Sequence, residues 1–246
     1  MDTWLYVSLI ALTAGFVKGV SGFGSSLVSI PLLALVFGVD YIKEIVVVMV
    51  TFNLILNSML LVAHKGFRID SLRNVWLIPL FGILFTIVGI EIFIAVSDTT
   101  IKTIAGIMIL VSMGIKILQY SPYSITLPET NLFKIIVGSL SGIGNGIASI
   151  DGPPVVFYLS SIHAEKVYFK NVLAAHFLVM GIAAVFYHIS IGSYTMDIVS
   201  ILLVMIVGTA IGAFVGIKIS KNWQQHIFDY VVIVILFALG MYFLLW

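Results

Sequence analysis

The stretch GVSGFGSS at residues 19–26 places three glycines and three serines in the middle of the apolar run 4–37. The stretch GSLSGIGNG at residues 138–146 interrupts the apolar run 132–162 in the same way, with the shared Ser-Gly-x-Gly pattern displaced by 120 residues. Backbone at membrane depth can leave the helical conformation only where it is buried in protein or lines a cavity. Paired interruptions of this kind therefore predict a binding site in a transporter whose two halves correspond.

The composition excludes most other classes of protein. Of 246 residues, 61% are hydrophobic and 9% are charged, and the mean hydropathy is +1.20, which is typical of a polytopic membrane protein. The net charge of +1 offers no field that would attract nucleic acid. The chain has no cysteine and no nucleotide-binding, metal-binding or nucleophile motif, so we predict neither a cofactor nor a metal.

The remaining apolar runs predict the membrane spans. Six are long enough to cross a bilayer singly, and they cover residues 41–63, 75–96, 101–118, 167–188, 198–217 and 227–246. A polar linker at residues 120–131 divides the chain into halves of similar length. We predict an all-α polytopic membrane protein of two inverted repeats, residues 1–119 and 132–246, each with one re-entrant helical hairpin (4–37 or 132–162) and three spans.

Positive charge favours hairpins over full crossings. If both interrupted segments are hairpins, nine loop cations fall on the side of the linker and two on the other, whereas full crossings give five against six. The hairpin arms would have roughly 14 and 11 residues, each about half a bilayer deep. We therefore expect a multi-pass protein of the prokaryotic inner membrane with a cytoplasmic linker and both termini outside.

The hairpin tips are the candidate substrate site. Glycine lets a ligand approach the backbone, and a half-helix that starts after such a loop directs N–H groups and a positive dipole end at the cavity, which suits a small anion. Close packing of helices through small residues is the alternative interpretation. The tip residues are Ser21, Gly22, Phe23, Gly24, Ser25 and Ser26 in the first half and Ser141, Gly142, Gly144, Asn145 and Gly146 in the second.

Four further polar side chains lie deep in apolar runs. Lys18 could balance an anionic substrate or form a structural pair with Asp151 or a backbone carbonyl. Asp151 could carry a coupling proton, pair with Lys18, or cap the half-helix that begins with two prolines. Asn53 and His176 occupy comparable positions in the first span of each half, where they could contact substrate or form interhelical hydrogen bonds. His176 could also carry a proton, because it titrates near neutral pH.

The chain resembles the sulfite exporter TauE/SafE family. Its first signature matches the glycines and phenylalanines of residues 15–24 and the PLL at 31–33, and its second matches 138–144 together with GPPVVFYL at 152–159. The resemblance implies a carrier of small sulfur-containing anions such as sulfite, sulfoacetate and related organosulfonates. Ser25, Ser26 and Asp151 depart from the usual pattern of the family.

We interpret the chain as a secondary transporter that exports such anions by alternating access. Its expected partners are a small anionic substrate and the lipid bilayer, and the sequence leaves self-association open. The alternative is a membrane-embedded enzyme or assembly factor. An enzyme requires a clustered nucleophile or metal ligands and an assembly factor requires large soluble loops, and the sequence predicts neither.

Overall fold

The computed structural model describes residues 2–63, 73–118, 127–220, 233–234, 237–238 and 240–245, and all regular structure in these residues is helical. Nine helices have defined bounds within them. They are α1 (Asp2–Ser21), α2 (Ser25–Phe37), α3 (Ile42–Ala63), α4 (Leu77–Ala95), α5 (Asp98–Leu118), α6 (Asn131–Ala148), α7 (Gly152–Ser161), α8 (Lys166–Ser190) and α9 (Met196–Ser220). A 3-10 turn at Val39–Tyr41 joins α2 to α3. Half of the predicted span 227–246 and most of the linker 120–131 lie outside the described residues.

Five helices are long and apolar enough to cross a membrane within the part of the chain that the structure describes. They are α1, α4, α5, α8 and α9. Large apolar side chains point outward from them, as Leu203, Val207 and Phe214 do on α9, which are 64 to 69% exposed. Such side chains suit contact with lipid, so the prediction of an all-α polytopic membrane protein is confirmed.

The first interrupted segment breaks where the sequence predicts. Helix α1 ends at Ser21 and α2 begins at Ser25. Between them, Gly22 (φ 85°) and Gly24 (φ 90°) adopt left-handed backbone conformations. Glycine enters this region without the steric cost that a Cβ atom brings, so this part of the motif has a conformational reason.

The second segment breaks later than predicted. Helix α6 runs without interruption through Gly142, Gly144, Asn145 and Gly146 to Ala148, and the break lies at residues 149–151, where Ser149 is left-handed (φ 51°). The prediction that these four residues form the second tip is therefore wrong. The glycines do not break the helix because Gly142 and Gly146 pack directly against α4, and close helix contact offsets the low helix propensity of glycine.

The first arm of the first hairpin is longer than the roughly 14 residues predicted, whereas the second arm is close to the predicted 11. The four helices α1, α2, α6 and α7 have 20, 13, 18 and 10 residues. At 1.5 Å per residue, the first helix of each segment is about 27 to 30 Å long, close to the thickness of the hydrocarbon core. The second helix of each is about half to two thirds of that length.

Glycine contacts give the relative directions of two helix pairs. Along α9, Gly208 packs against Ser8, Gly212 against Leu12 and Gly216 against Phe16, so α1 and α9 run parallel. Along α6, Gly138 packs against Ile78, Gly142 against Gly82 and Gly146 against Thr86, so α4 and α6 also run parallel. These are the two most extensive helix pairs among the described residues.

The position of α8 gives the remaining directions. Gly181 packs against Leu54 while Ala184 clusters with Val50, so α8 runs antiparallel to α3. Gly82 contacts His176 while Ala184 clusters with Ile90, so α8 runs parallel to α4 and hence to α6. Because α6 and α8 run the same way, α7 between them has to return toward the side where α6 began.

The direction of α2 in the first interrupted segment can be derived in the same way. The short connection 191–195 makes α9 antiparallel to α8, so α9, α1 and α3 share one direction. Helix α2, between α1 and α3, therefore also returns toward its starting side. Helices α1 and α6 therefore run in opposite directions, and so do the helix pairs α1–α2 and α6–α7.

Candidate functional site

The two helix breaks meet at one cavity. About 250 Å³ of space free of protein atoms lies in and around it, and this figure includes open space beyond its mouth. The first break contributes the Phe23 ring, which packs against Gly152 of the second. The lining residues are Lys18, Phe23, Gly24, Ser25, Ser26, Leu27, Asn53, Ser149, Ile150, Asp151, Gly152, Pro153 and Phe177.

Lys18 supplies the positive charge of this cavity. It lies in the last turn of α1 and is only 3% exposed. Its Nζ donates a hydrogen bond to Asn53 Oδ1 at 3.3 Å and sits 5.2 Å from the centroid of the Phe177 ring. An amide oxygen and an aromatic face are weak partners for a buried cation. The ammonium therefore retains a strong preference for an anionic partner.

The first tip presents hydrogen-bond donors to the cavity. Gly24 occupies the N-cap position of α2 and has no side chain with which to cap the helix. The first N–H groups of a helix have no intrahelical partner, and they carry the positive end of the helix dipole. Ser25 and Ser26 in this turn are buried, and their hydroxyls add further polar groups. This side of the cavity suits an oxyanion.

The second tip presents a carboxylate instead. Asp151 occupies the N-cap position of α7 but makes no side-chain capping hydrogen bond, so the interpretation of Asp151 as a capping residue has no support in the geometry. Two of the next three residues, Pro153 and Pro154, have no N–H group. Asp151 and Lys18 line the same cavity, and their opposite charges attract across it.

Asn53 connects the two tips. This side chain of α3 is 7% exposed and forms hydrogen bonds to Lys18 and Ser25 through Oδ1 and to Ser26 and Ser149 through Nδ2. It therefore joins both helices of the first hairpin to the break in the second. Asn53 thus forms hydrogen bonds between helices and also lines the cavity. Its position is compatible with both interpretations from the sequence, interhelical hydrogen bonding and substrate contact.

His176 lies next to the second tip and outside the cavity lining. It is fully buried, and its Nε2 lies 2.8 Å from Ser141 Oγ. Ser141 in turn donates to the backbone carbonyl of Asp151 at 2.6 Å. Because the single hydroxyl proton goes to that carbonyl, Nε2 of His176 is the donor to Ser141. Its Nδ1 has no hydrogen-bond partner.

The other predicted tip residues serve the helices around the cavity. Ser21 stabilises the first helix break. Its hydroxyl oxygen accepts from the N–H of Phe23, and its single proton is shared between the carbonyl oxygens of Val17 and Phe23. Gly22 faces open space, whereas a Cβ atom on Gly144 would lie 2.3 Å from the Ile150 carbonyl oxygen. Gly142 packs on α4, and Asn145 donates to Thr86 of α4 at 3.3 Å.

Among the lining residues that sequence reasoning missed, two contact Asn53 or Lys18. Ser149 reaches Asn53 from the true second break, and a left-handed serine has no strong sequence signature. Phe177 carries the ring beside Lys18, and one phenylalanine among the 17 in the chain gives no signal. Within the described residues, no group of three His, Cys, Asp or Glu side chains could hold a metal ion.

Comparison with models of known protein families gives a match over nearly the whole chain. The family model described as "Sulfite exporter TauE/SafE" matches residues 7–243. No curated protein and no solved structure matches the chain.

Proposed function

Since the chain belongs to the sulfite exporter TauE/SafE family, a family of membrane transporters, we propose that it exports sulfite, sulfoacetate or a related organosulfonate through the cavity between its two hairpin tips. The family makes it a membrane anion exporter, which is not an enzyme. The choice among these anions, the path and the mechanism are our proposal.

The observation that carries the proposal is a buried lysine in the last turn of α1 that shares a cavity with the N-terminal end of α2. Lys18, the uncapped first turn of α2 and the hydroxyls of Ser25 and Ser26 converge on one cavity. Sulfite and sulfonates present several oxygens on one small head group, which accept N–H and O–H donors. An apolar or cationic solute would leave the first N–H groups of α2 without acceptors, at a cost of about 1–3 kcal/mol each.

Asp151 gives the site a means of coupling to protons. It and Lys18 are the charged residues among those that line the cavity. When a monovalent anion pairs with Lys18, a proton on Asp151 keeps the total charge of the cavity unchanged. The alternative, two negative charges in one low-dielectric cavity, is strongly unfavourable. We infer that one proton accompanies each anion, so that the outward concentration gradient of the anion itself drives export, and that His176 acts on the same tip by holding Ser141.

Alternating access is supported by the symmetry of the contacts. Gly216 packs against Phe16 and Gly19, and Gly89 packs against Ile143 and Gly146. Phe16, Gly19 and Gly89 lie 127 positions before Ile143, Gly146 and Gly216, respectively. Together with the opposite directions of the two hairpins, this favours inverted repeats, residues 1–119 and 132–246. Two such halves can exchange conformations around a site at their interface.

The charges do not follow this symmetry. At the same separation Gly22 corresponds to Ser149, and both are left-handed. Lys18, however, corresponds to Asn145, and Gly24 corresponds to Asp151. One half thus supplies the cation and the other supplies the carboxylate, which supports a single anion site with a single proton carrier.

Transport by purified protein in liposomes tests this function. We expect radiolabelled sulfite to enter liposomes faster when an inward proton gradient is imposed. Asp151→Asn removes the proton carrier, so its flux is expected to lose this dependence on the gradient. Absence of sulfite and sulfoacetate flux from the wild-type protein would contradict the proposed substrates.

We also propose an orientation in the cell membrane. The distribution of positive charge places residues 120–131 in the cytoplasm and both termini outside. A reporter enzyme that is active only in the cytoplasm is expected to be active when inserted after residue 125 and inactive when fused after residue 246. The opposite pattern would contradict the orientation.

A further inference from the structure

Asn53 uses its full hydrogen-bonding capacity inside the cavity. Its Oδ1 accepts from Lys18 Nζ at 3.3 Å and from Ser25 Oγ at 2.6 Å. Its Nδ2 donates to Ser26 Oγ at 2.6 Å and to Ser149 Oγ at 3.0 Å. An amide group offers two acceptor sites and two donor protons, so none remains unused.

The oxygen of Asn53 occupies the position that a substrate oxygen would need. Lys18 and Ser25, the ammonium and a hydroxyl of the proposed anion site, converge on this one atom. Buried donors without an acceptor are costly, so an empty site requires some oxygen at this place. An amide oxygen is neutral, and an oxyanion forms hydrogen bonds with an ammonium that are roughly twice as strong.

We propose that Asn53 is a stand-in for the anion. It holds Lys18 and Ser25 in the empty site and gives way when a sulfite or sulfonate oxygen takes its place. This inference rests on the proposed function of the cavity. It adds that the residue competes with the substrate and thereby sets the affinity of the site.

Displacement of Asn53 also acts on the contact between the hairpins. The same amide group donates to Ser26 of α2 and to Ser149 of the second break. Once Oδ1 loses its two donors, the side chain is free to rotate, and the bonds from Nδ2 weaken with it. Binding of the anion at the first tip thus loosens the connection to the second tip, which is the event that alternating access requires.

Two substitutions at Asn53 distinguish this role from a structural one. Asn53→Ala removes the competing oxygen, so the KM for sulfite in liposome flux is expected to fall about threefold. Asn53→Asp places a permanent negative charge beside Lys18, so the KM is expected to rise about tenfold or more. Asn57 is equally buried one turn away and does not line the cavity, so Asn57→Ala and Asn57→Asp are the matched controls, with unchanged KM.

The directions of the two KM shifts distinguish competition with the anion from a purely structural role of Asn53. A purely structural Asn53 would move the KM in the same direction for both variants, or leave it unchanged and lower only the maximal rate, and either result would overturn the inference. Flux by the wild-type protein keeps this outcome distinct from a failure of the proposed function. Asn53→Asp is nearly isosteric with the natural residue, and gel filtration of each variant shows whether it is folded.

Cross-linking tests the loosening without measuring transport. The chain has no cysteine, so Ser26→Cys with Ser149→Cys introduces a single pair, at positions whose hydroxyls bond the same Asn53 nitrogen. We expect disulfide formation in the empty protein and a yield reduced about threefold or more by sulfoacetate. Sulfoacetate is the probe because sulfite itself cleaves disulfides. A yield that sulfoacetate does not change would overturn the coupling between binding and tip contact.

Discussion

Replacing Lys18 with methionine is expected to lower sulfite flux about 30-fold or more, the largest effect on transport of any single change. Lys18 and the bound anion form a buried, hydrogen-bonded charge pair in our proposal. Removing one partner of such a pair costs about 2–5 kcal/mol, and each 1.4 kcal/mol changes the affinity about tenfold. The loss is severe here because Asp151 lines the same cavity and would repel the incoming anion. The initial rate of radiolabelled sulfite uptake into liposomes measures it.

A second buried lysine supplies the control. Lys102, the fifth residue of α5, is 7% exposed and lies outside the cavity lining. Lys102→Met therefore removes a buried lysine of the same kind, and we expect its KM for sulfite to match that of the wild-type protein. Flux by Lys18→Met within a factor of about three of this control would remove Lys18 from the anion site.

The pairing of Lys18 with Asp151 can be tested in the same assay. Lys18→Met leaves Asp151 without its cation, so adding Asp151→Asn is expected to restore the yield of folded protein and to leave flux low. If the two changes act independently, their effects on stability add within about 0.5 kcal/mol. Additivity would show that the two charges are not coupled across the cavity.

Replacing Gly212 with alanine is expected to disrupt folding rather than transport. A Cβ atom at this position would lie 2.0 Å from the carbonyl oxygen of Leu12, so α1 and α9 have to separate. Overpacking of this kind costs about 1–3 kcal/mol, which corresponds to a fall of about 2–12 °C in the thermal midpoint of the purified protein. Gly146→Ala meets the carbonyl of Thr86 at 2.4 Å in the corresponding helix pair and is expected to behave alike.

Gly114 is the matched control for these glycines. It lies within α5, and a Cβ atom there would meet nothing within 4 Å. Gly114→Ala adds the same methyl group and improves helix propensity, so its thermal midpoint is expected to stay level or rise. If Gly212→Ala is as stable as Gly114→Ala, the close contact between α1 and α9 is not required for folding.

The position of the second tip shows why the sequence pattern was misleading. The two Ser-Gly-x-Gly strings are 120 residues apart, whereas equivalent packing contacts recur at a separation of 127. The difference of seven residues is about two turns of an α-helix, which returns to the same helix face. A pattern of small residues on one helix face is therefore compatible with a separation of either 120 or 127 residues between the two halves. Only the partner helix distinguishes a glycine that breaks the backbone from one that accepts a neighbour.

The sequence by itself determined the class of the protein, its family and the two charged residues that line the cavity. Composition and hydropathy predict a polytopic membrane protein because apolar surface on this scale has to face lipid. Lys18, Asn53 and Asp151 could be identified because polar groups at membrane depth are costly and need a reason. The tertiary structure decided which glycines turn the chain and which pack helices, and it brought Ser149 and Phe177 to the cavity. Both depend on contacts between helices that are far apart in the chain, and the local sequence pattern does not indicate which helices are in contact.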